Sequence, residues 1–277
     1  MTSTNTPRPR KLTLAAATAA LLLPLTACGE DPSGGGSGAP GSSDLPTGSD
    51  PVELDPEEFT PGSDHEYFPL EPRTQWTYRE IDETGAAVTV VVTVSTETKQ
   101  IANGVEARVV RDTVTEDGEL VEDTVDWYAQ DDEGNVWYLG EETAEFEGGK
   151  LATREGSFEA GVDGALPGVI MPADPAAGME YRQEYYEGEA EDNGEVLDVG
   201  HQAEVPAGHY DDVLLTADTN AIEPDVLEYK LYAPGVGVVL TLGVSGGGGR
   251  EELVKTTQVS AETARAAGTA PLGTSYE

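Results

Sequence analysis

The chain has 277 residues and carries 15 Lys+Arg against 53 Asp+Glu, a formal net charge of -38 at pH 7. Its single Cys cannot form an internal disulfide, and no Cys/His cluster is spaced to hold zinc. Nucleic-acid binding rests on basic groups, so a chain this acidic is not expected to bind nucleic acid.

Residues 1–27 read as a lipoprotein signal peptide. Arg8, Arg10 and Lys11 form a positive start, and an apolar stretch runs from Leu12 to Leu25. That stretch is shorter than the roughly 20 residues a membrane-spanning helix needs. It ends in Leu25-Thr26-Ala27-Cys28, the pattern of a bacterial lipobox. In that pattern Cys28 is the lipid attachment site: it is diacylated and becomes the mature N-terminus. Two acyl chains hold a protein stably where one holds it marginally. The expected location is the cell membrane, lipid-anchored, on the extracytoplasmic face, with membrane contact through the lipid alone.

Residues 28–63 are Gly, Ser, Pro and acid, with few large apolar side chains, and read as a disordered tether. Residues 64–165 and 166–260 read as two β units, and residues 261–277 as a flexible tail with one helical turn at Ala261–Ala267. Within the β region, Val88, Val90, Val92 and Val94 share one face of a strand. Similar runs recur at Val121–Tyr128, Val136–Leu139, Val213–Thr216, Val226–Tyr232 and Val236–Leu242. Turn signals separate them: Asn103-Gly104, Asp117-Gly118, Glu133-Gly134-Asn135, Gly148-Gly149, Asn193-Gly194 and Pro234-Gly235.

An internal repeat organises these elements. Pro69-x-x-Pro72 followed by Tyr78-Arg79 recurs as Pro172-x-x-Pro175 followed by Tyr181-Arg182. Val109-Val110 matches Val213-Leu214, and Val125–Ala129 matches Tyr229–Ala233. The expectation is an all-β, antiparallel, internally duplicated fold. Two units of about 100 residues would form either packed sheets or one curved half-barrel.

The segment Tyr67-Phe68-Pro69-Leu70-Glu71-Pro72-Arg73-Thr74-Gln75-Trp76-Thr77-Tyr78 resembles the opening motif of a group of largely uncharacterised secreted bacterial proteins and lipoproteins. That motif runs Tyr-Phe-Pro-Leu, x-Pro-Gly, two residues, Trp-x-Tyr. Tyr232–Val239 resembles the closing hairpin of the same group. Arg73 stands where the motif has Gly, so the turn after Pro72 is expected to differ. The resemblance implies secretion and an antiparallel β fold, and it implies no activity.

Chemistry was sought in four patterns. His65, His201 and His209 stand near no recognisable nucleophile motif, and the metalloprotease, serine-hydrolase and phosphate-loop signatures are absent. Asp131–Asn135 gathers oxygen ligands in a turn but fails the EF-hand spacing, so calcium there competes with a solvated acidic turn. The aromatic runs around Trp76, Trp127 and Trp137 could line a groove for sugar or lipid, or pack in the core. The charge reads as a solvated acidic surface or as a surface for a cationic or basic-protein partner.

These readings converge on a monomeric, non-enzymatic binding lipoprotein with no metal and no cofactor. Its partner would be an envelope protein or a small apolar ligand. One alternative is a carrier of an apolar ligand in an open β-barrel, which predicts a cavity lined by Val, Leu, Phe and Tyr. The other is an envelope hydrolase, which predicts clustered, partly buried acids with raised pKa.

Overall fold

The computed structural model describes residues 45–81, 85–246 and 249–276. The signal peptide, Cys28 and the tether up to residue 44 lie outside these residues. Sixteen strands were found among them: β1 (Phe59–Pro61), β2 (Thr74–Ile81), β3 (Ala87–Gln100), β4 (Glu106–Glu116), β5 (Glu119–Asp131), β6 (Val136–Glu147), β7 (Lys150–Thr153), β8 (Phe158–Glu159), β9 (Leu166–Met171), β10 (Glu180–Arg182), β11 (Glu184–Tyr185), β12 (Asp192–Val205), β13 (Gly208–Asn220), β14 (Leu227–Ala233), β15 (Gly237–Ser245) and β16 (Arg250–Gln258). One helix, α1 (Ala261–Thr269), follows. Every pairing between these strands is antiparallel.

The duplication governs the sheet. Strands β2 to β6 form one meander, and β10, β12, β13, β14 and β15 form a second in the same order. Tyr78 pairs with Val90, and Tyr181 pairs with Gly194, so the two Tyr-Arg strands stand in equivalent places. The next ladder agrees as well. Val88↔Glu116 to Val92↔Asp112 in the first repeat matches Asp192↔Asn220 to Val196↔Thr216 in the second. The third match has slid by two residues: Asp112 pairs with Thr124, whereas its counterpart Thr216 pairs with Lys230. A slip of two keeps every side chain on its original face.

Each repeat adds a sixth strand. β9 pairs with β6, and β16 pairs with β15. β16 then joins β2, from Arg250↔Ile81 to Gln258↔Thr74, and fuses the repeats into one sheet. At the other end β9 pairs with β11, which continues from β10 across Gln183, while β10 pairs with β12. One split strand thus carries both free edges, and the sheet curves until it nearly closes as a barrel. Of the two arrangements expected, the curved single sheet is the one formed. Because β9 completes the first repeat, the boundary between repeats falls after Met171 and not at residue 165.

Local chemistry explains the hairpins. Asp117 and Gly118 both take positive φ, 51° and 85°, and close β4 onto β5 as a two-residue turn. Asn193-Gly194 is not the turn its sequence suggested; both residues lie inside β12. A Cβ on Gly194 would stand 2.6 Å from the Tyr181 ring, so the glycine makes room for that tyrosine. Arg73 adopts φ 80°, a left-handed conformation that glycine takes most readily. Its amide donates to the Val94 carbonyl (2.9 Å) and its Nε to the Val259 carbonyl (2.9 Å).

Two segments expected to be loose are ordered on the barrel. Residues 45–63, placed in the tether by composition, pack Leu45, Val52, Leu54 and Phe59 on the core, and β1 pairs with β5. Arg182, fully buried, donates from Nη1 to the Gly48 (2.7 Å) and Asp50 (2.8 Å) carbonyls and from Nη2 to the Pro167 carbonyl (2.8 Å). Four scattered apolar or aromatic anchors are invisible to a composition count. The tail is likewise held. Ser260 caps α1 by accepting from the Thr263 amide (3.0 Å). Ala264 and Ala267 are buried, and Arg111 from β4 donates to the Ala270 carbonyl (2.7 Å) and pairs with Asp123 (2.6 Å).

Candidate functional site

Alternation along the strands sends one set of side chains into the barrel lumen, where a cavity of about 250 Å³ remains. From the first repeat, β2 presents Trp76 and Tyr78, and β3 presents Val90 and Val92. β4 presents Val110 and Asp112, and β5 presents Asp126 and Tyr128. From the second repeat, β14 presents Lys230 and Tyr232, and β16 presents Glu251. The repeat-related pairs Asp126/Lys230 and Tyr128/Tyr232 therefore face one common space.

Two segments, one before β2 and one at the start of β15, form the cover of this cavity. Phe68, Pro69 and Leu70 line it from one side, and Val236, Gly237 and Val238 from the other. They are bonded together: the Gly235 amide donates to the Glu66 carbonyl (2.7 Å), and the Tyr78 hydroxyl to the Val238 carbonyl (3.0 Å). The Phe68 ring lies 5.3 Å from Tyr128 and 6.4 Å from Tyr232, between the repeat-related tyrosines.

The lumen is unusual in its acids. Asp112 Oδ1 is buried and has no hydrogen-bond partner among the described residues. Burial raises its pKa well above the usual carboxylate range, and the neighbouring charge of Asp126 raises it further. Burial likewise lifts Glu251 to about 7, with Glu80 adding repulsion. Asp126 is lifted to about 7 by burial, against the hydrogen bond from Tyr138 that favours its charged form. Burial and Asp126 together lift Glu141 to about 8.

Asp126, Tyr138 and Glu141 form a proton-sharing group. The Tyr138 hydroxyl lies 2.8 Å from Asp126 Oδ1 and 2.8 Å from Glu141 Oε2. A phenol donates one proton, so when both contacts are hydrogen bonds one carboxyl must be protonated and donate back. Beyond them Glu184 is raised well above its ordinary value by burial and by the charge of Asp192. The one cation lining the cavity among the described residues is already engaged. Lys230 Nζ lies 2.8 Å from Asp218. Burial opposes its charge, but Asp218 beside it wins and holds its pKa well above the ordinary value.

The other sequence candidates lie elsewhere. Asp131 is committed to its own turn: it accepts from the Asn135 amide (2.8 Å), Asn135 Nδ2 (2.9 Å) and Trp137 Nε1 (2.7 Å). No group of three or more His, Cys, Asp or Glu among the described residues is arranged to hold a metal. His65, expected at a tether junction, is buried. It accepts from the Tyr67 amide at Nδ1 (3.1 Å) and reaches the Ala173 carbonyl from Nε2 (3.1 Å), and burial lowers its pKa. His201 and His209 lie beside Asp198 and Asp211 on the surface. Trp127 sits under Lys99 Nζ (3.2 Å from the ring centre), and Trp137 packs in the core, so of the tryptophans only Trp76 lines the cavity. Its Nε1 has no partner among the described residues.

Sequence reasoning missed Asp112, Asp126, Glu141 and Glu251. With 53 acids in the chain, an inward carboxylate looks like an outward one. Strand alternation gives two faces but does not say which is inside. The signal that could have found them was the alternation Val110-x-Asp112-x-Val114, which puts an acid on an apolar face.

No family model matches the chain, and no curated protein matches it. The structure has a remote likeness to a crystal structure titled as that of a putative lipoprotein from Parabacteroides distasonis. The TM-score is 0.41 at 15% identity, covering 70% of this chain and 99% of that one. A likeness at that level carries no weight for function.

Proposed function

We propose that this chain is a lipid-anchored, extracytoplasmic binding protein that takes a small ligand in its barrel lumen without transforming it. The observation that carries this reading is the cavity itself: a partly open space with mainly apolar walls, unfilled by side chains, lined by an aspartate, Asp112, whose buried Oδ1 lacks a partner among the described residues. At about 250 Å³ it lies just below the roughly 300–1,000 Å³ of small-molecule sites. It suits a compact ligand and not a whole diacyl lipid. Cys28 in its lipobox supports the anchor and Arg8, Arg10 and Lys11 the export.

A hydrolase is the second reading, and the shared-proton group of Asp126, Tyr138 and Glu141 favours it. Against it, Asp126 lines the cavity but Glu141 does not, so only one member of the pair faces a bound molecule. Native mass spectrometry of the gently purified protein tests the binding reading. A co-purified small-molecule mass supports it, whereas a bare protein that gains a mass after Val110→Trp would count against the lumen as the site. Loss of membrane attachment in Cys28→Ala tests the anchor; a variant still firmly attached would refute it.

A further inference from the structure

We propose that the lumen ligand is a small organic cation: a protonated amine whose apolar body lies against Leu70, Val90, Val92 and Val110 and whose ammonium group meets Asp112. The inference deepens the binding reading above and rests on it.

Asp112 supplies the main argument. A buried carboxylate oxygen without a donor is costly, and folded chains rarely leave one. The two nearest cations among the described residues are engaged elsewhere. Arg111, next to it on β4, faces the other way and is held by Asp123 and the carbonyls of Ala267 and Ala270. Lys230 is held by Asp218 at 2.8 Å. The cavity therefore presents three carboxyl groups, Asp112, Asp126 and Glu251, against one lysine that already has its counter-ion. An anion would enter beside three acid groups and would oppose the ionisation of each. A neutral alcohol would supply a donor but leave the field unchanged. An ammonium group brings up to three donors and the missing charge at once.

The walls fit the rest of such a molecule. Val90, Val92 and Val110 are apolar neighbours of Asp112 along the same lumen face. Trp76, Tyr78 and Tyr128 bring aromatic rings to the same cavity, and rings of this kind attract cations through their π-faces.

The test uses three probes of one shape: n-octylamine, n-octanol and octanoate, titrated into the purified full chain by calorimetry and by tryptophan fluorescence. Octylamine is expected to bind at least about tenfold more tightly than either isostere, a difference of about 1.4 kcal/mol. Asp112→Asn is expected to erase that preference. Equal binding of octanol, or tightest binding of octanoate, overturns the cation assignment and leaves the lumen as a binding site. If none of the three binds, the cation assignment also falls; the binding reading falls with it when the native mass spectrum is bare as well. The ranking on the unmodified chain decides the matter even where Asp112→Asn fails to fold.

Discussion

Asp126→Asn offers a direct test of the buried-acid chemistry. Asparagine keeps an acceptor for the Tyr138 hydroxyl at the same place but cannot ionise. A carboxyl whose midpoint is higher in the folded chain than in the unfolded one contributes stability below the unfolded midpoint. That contribution is lost as pH rises toward the folded midpoint. For Asp126 the window runs from 3.8 to about 7. At about 1.36 kcal/mol per tenfold, the loss across that window is at most about 4.4 kcal/mol, an upper bound because the cavity admits water. Between pH 5 and pH 8 the share is about 3 kcal/mol. Asp126→Asn should therefore gain on the parent protein by up to that amount as pH rises from 5 to 8, read from urea unfolding at each pH. Relief of repulsion on Glu141 acts in the same direction. A gap between parent and variant that stays constant across this range would refute the assignment of Asp126 as a buried, near-neutral acid.

Other outcomes follow from the packing. Gly194→Val should cost about 1–3 kcal/mol, since its Cβ would stand 2.6 Å from the Tyr181 ring; an unchanged melting temperature would show the ring free to move. Asp123→Asn leaves Arg111 buried without its counter-charge and should cost about 3–5 kcal/mol, with faster amide exchange over residues 264–273. Unaltered exchange there would mean the tail is held by other contacts. Asp131→Ala removes the acceptor for Trp137 Nε1 and Asn135 and should cost about 2–3 kcal/mol. The loss should be the same in calcium and in chelator, and a loss confined to calcium-containing buffer would point to a bound ion instead.

The fold was legible wherever local chemistry acts alone. The valine alternation of β3 and the Asp117-Gly118 hairpin depend on residues within a few positions of one another, and the Tyr-Arg repeat on direct comparison of two segments. What stayed hidden depends on partners far along the chain. Gly194 reads as a turn until Tyr181 is seen across from it, and Leu45 and Val52 read as linker until the core beneath them is in view. The site was legible only in part. Phe68, Leu70, Trp76 and the hairpin after Pro234 were singled out as motif residues and do converge on the cavity. The carboxylates were not, because their distinguishing property is burial, and burial is decided by closure of the whole sheet.

The two repeats solve the same joint differently, and this gives the barrel a direction of mechanical weakness. β2 is continuous and zipped to β16 along its whole length, whereas its counterpart is broken at Gln183. That broken strand holds β12 through Glu180–Arg182 and β9 through only Glu184 and Tyr185. The first described residues lie at this broken joint, where Arg182 holds them through the carbonyls of Gly48 and Asp50. A pull on the N-terminal side is therefore transmitted to short ladders, the two-pair contact of β9 with β11 among them. Tension would part the barrel along this line before it disturbed the fused joint opposite.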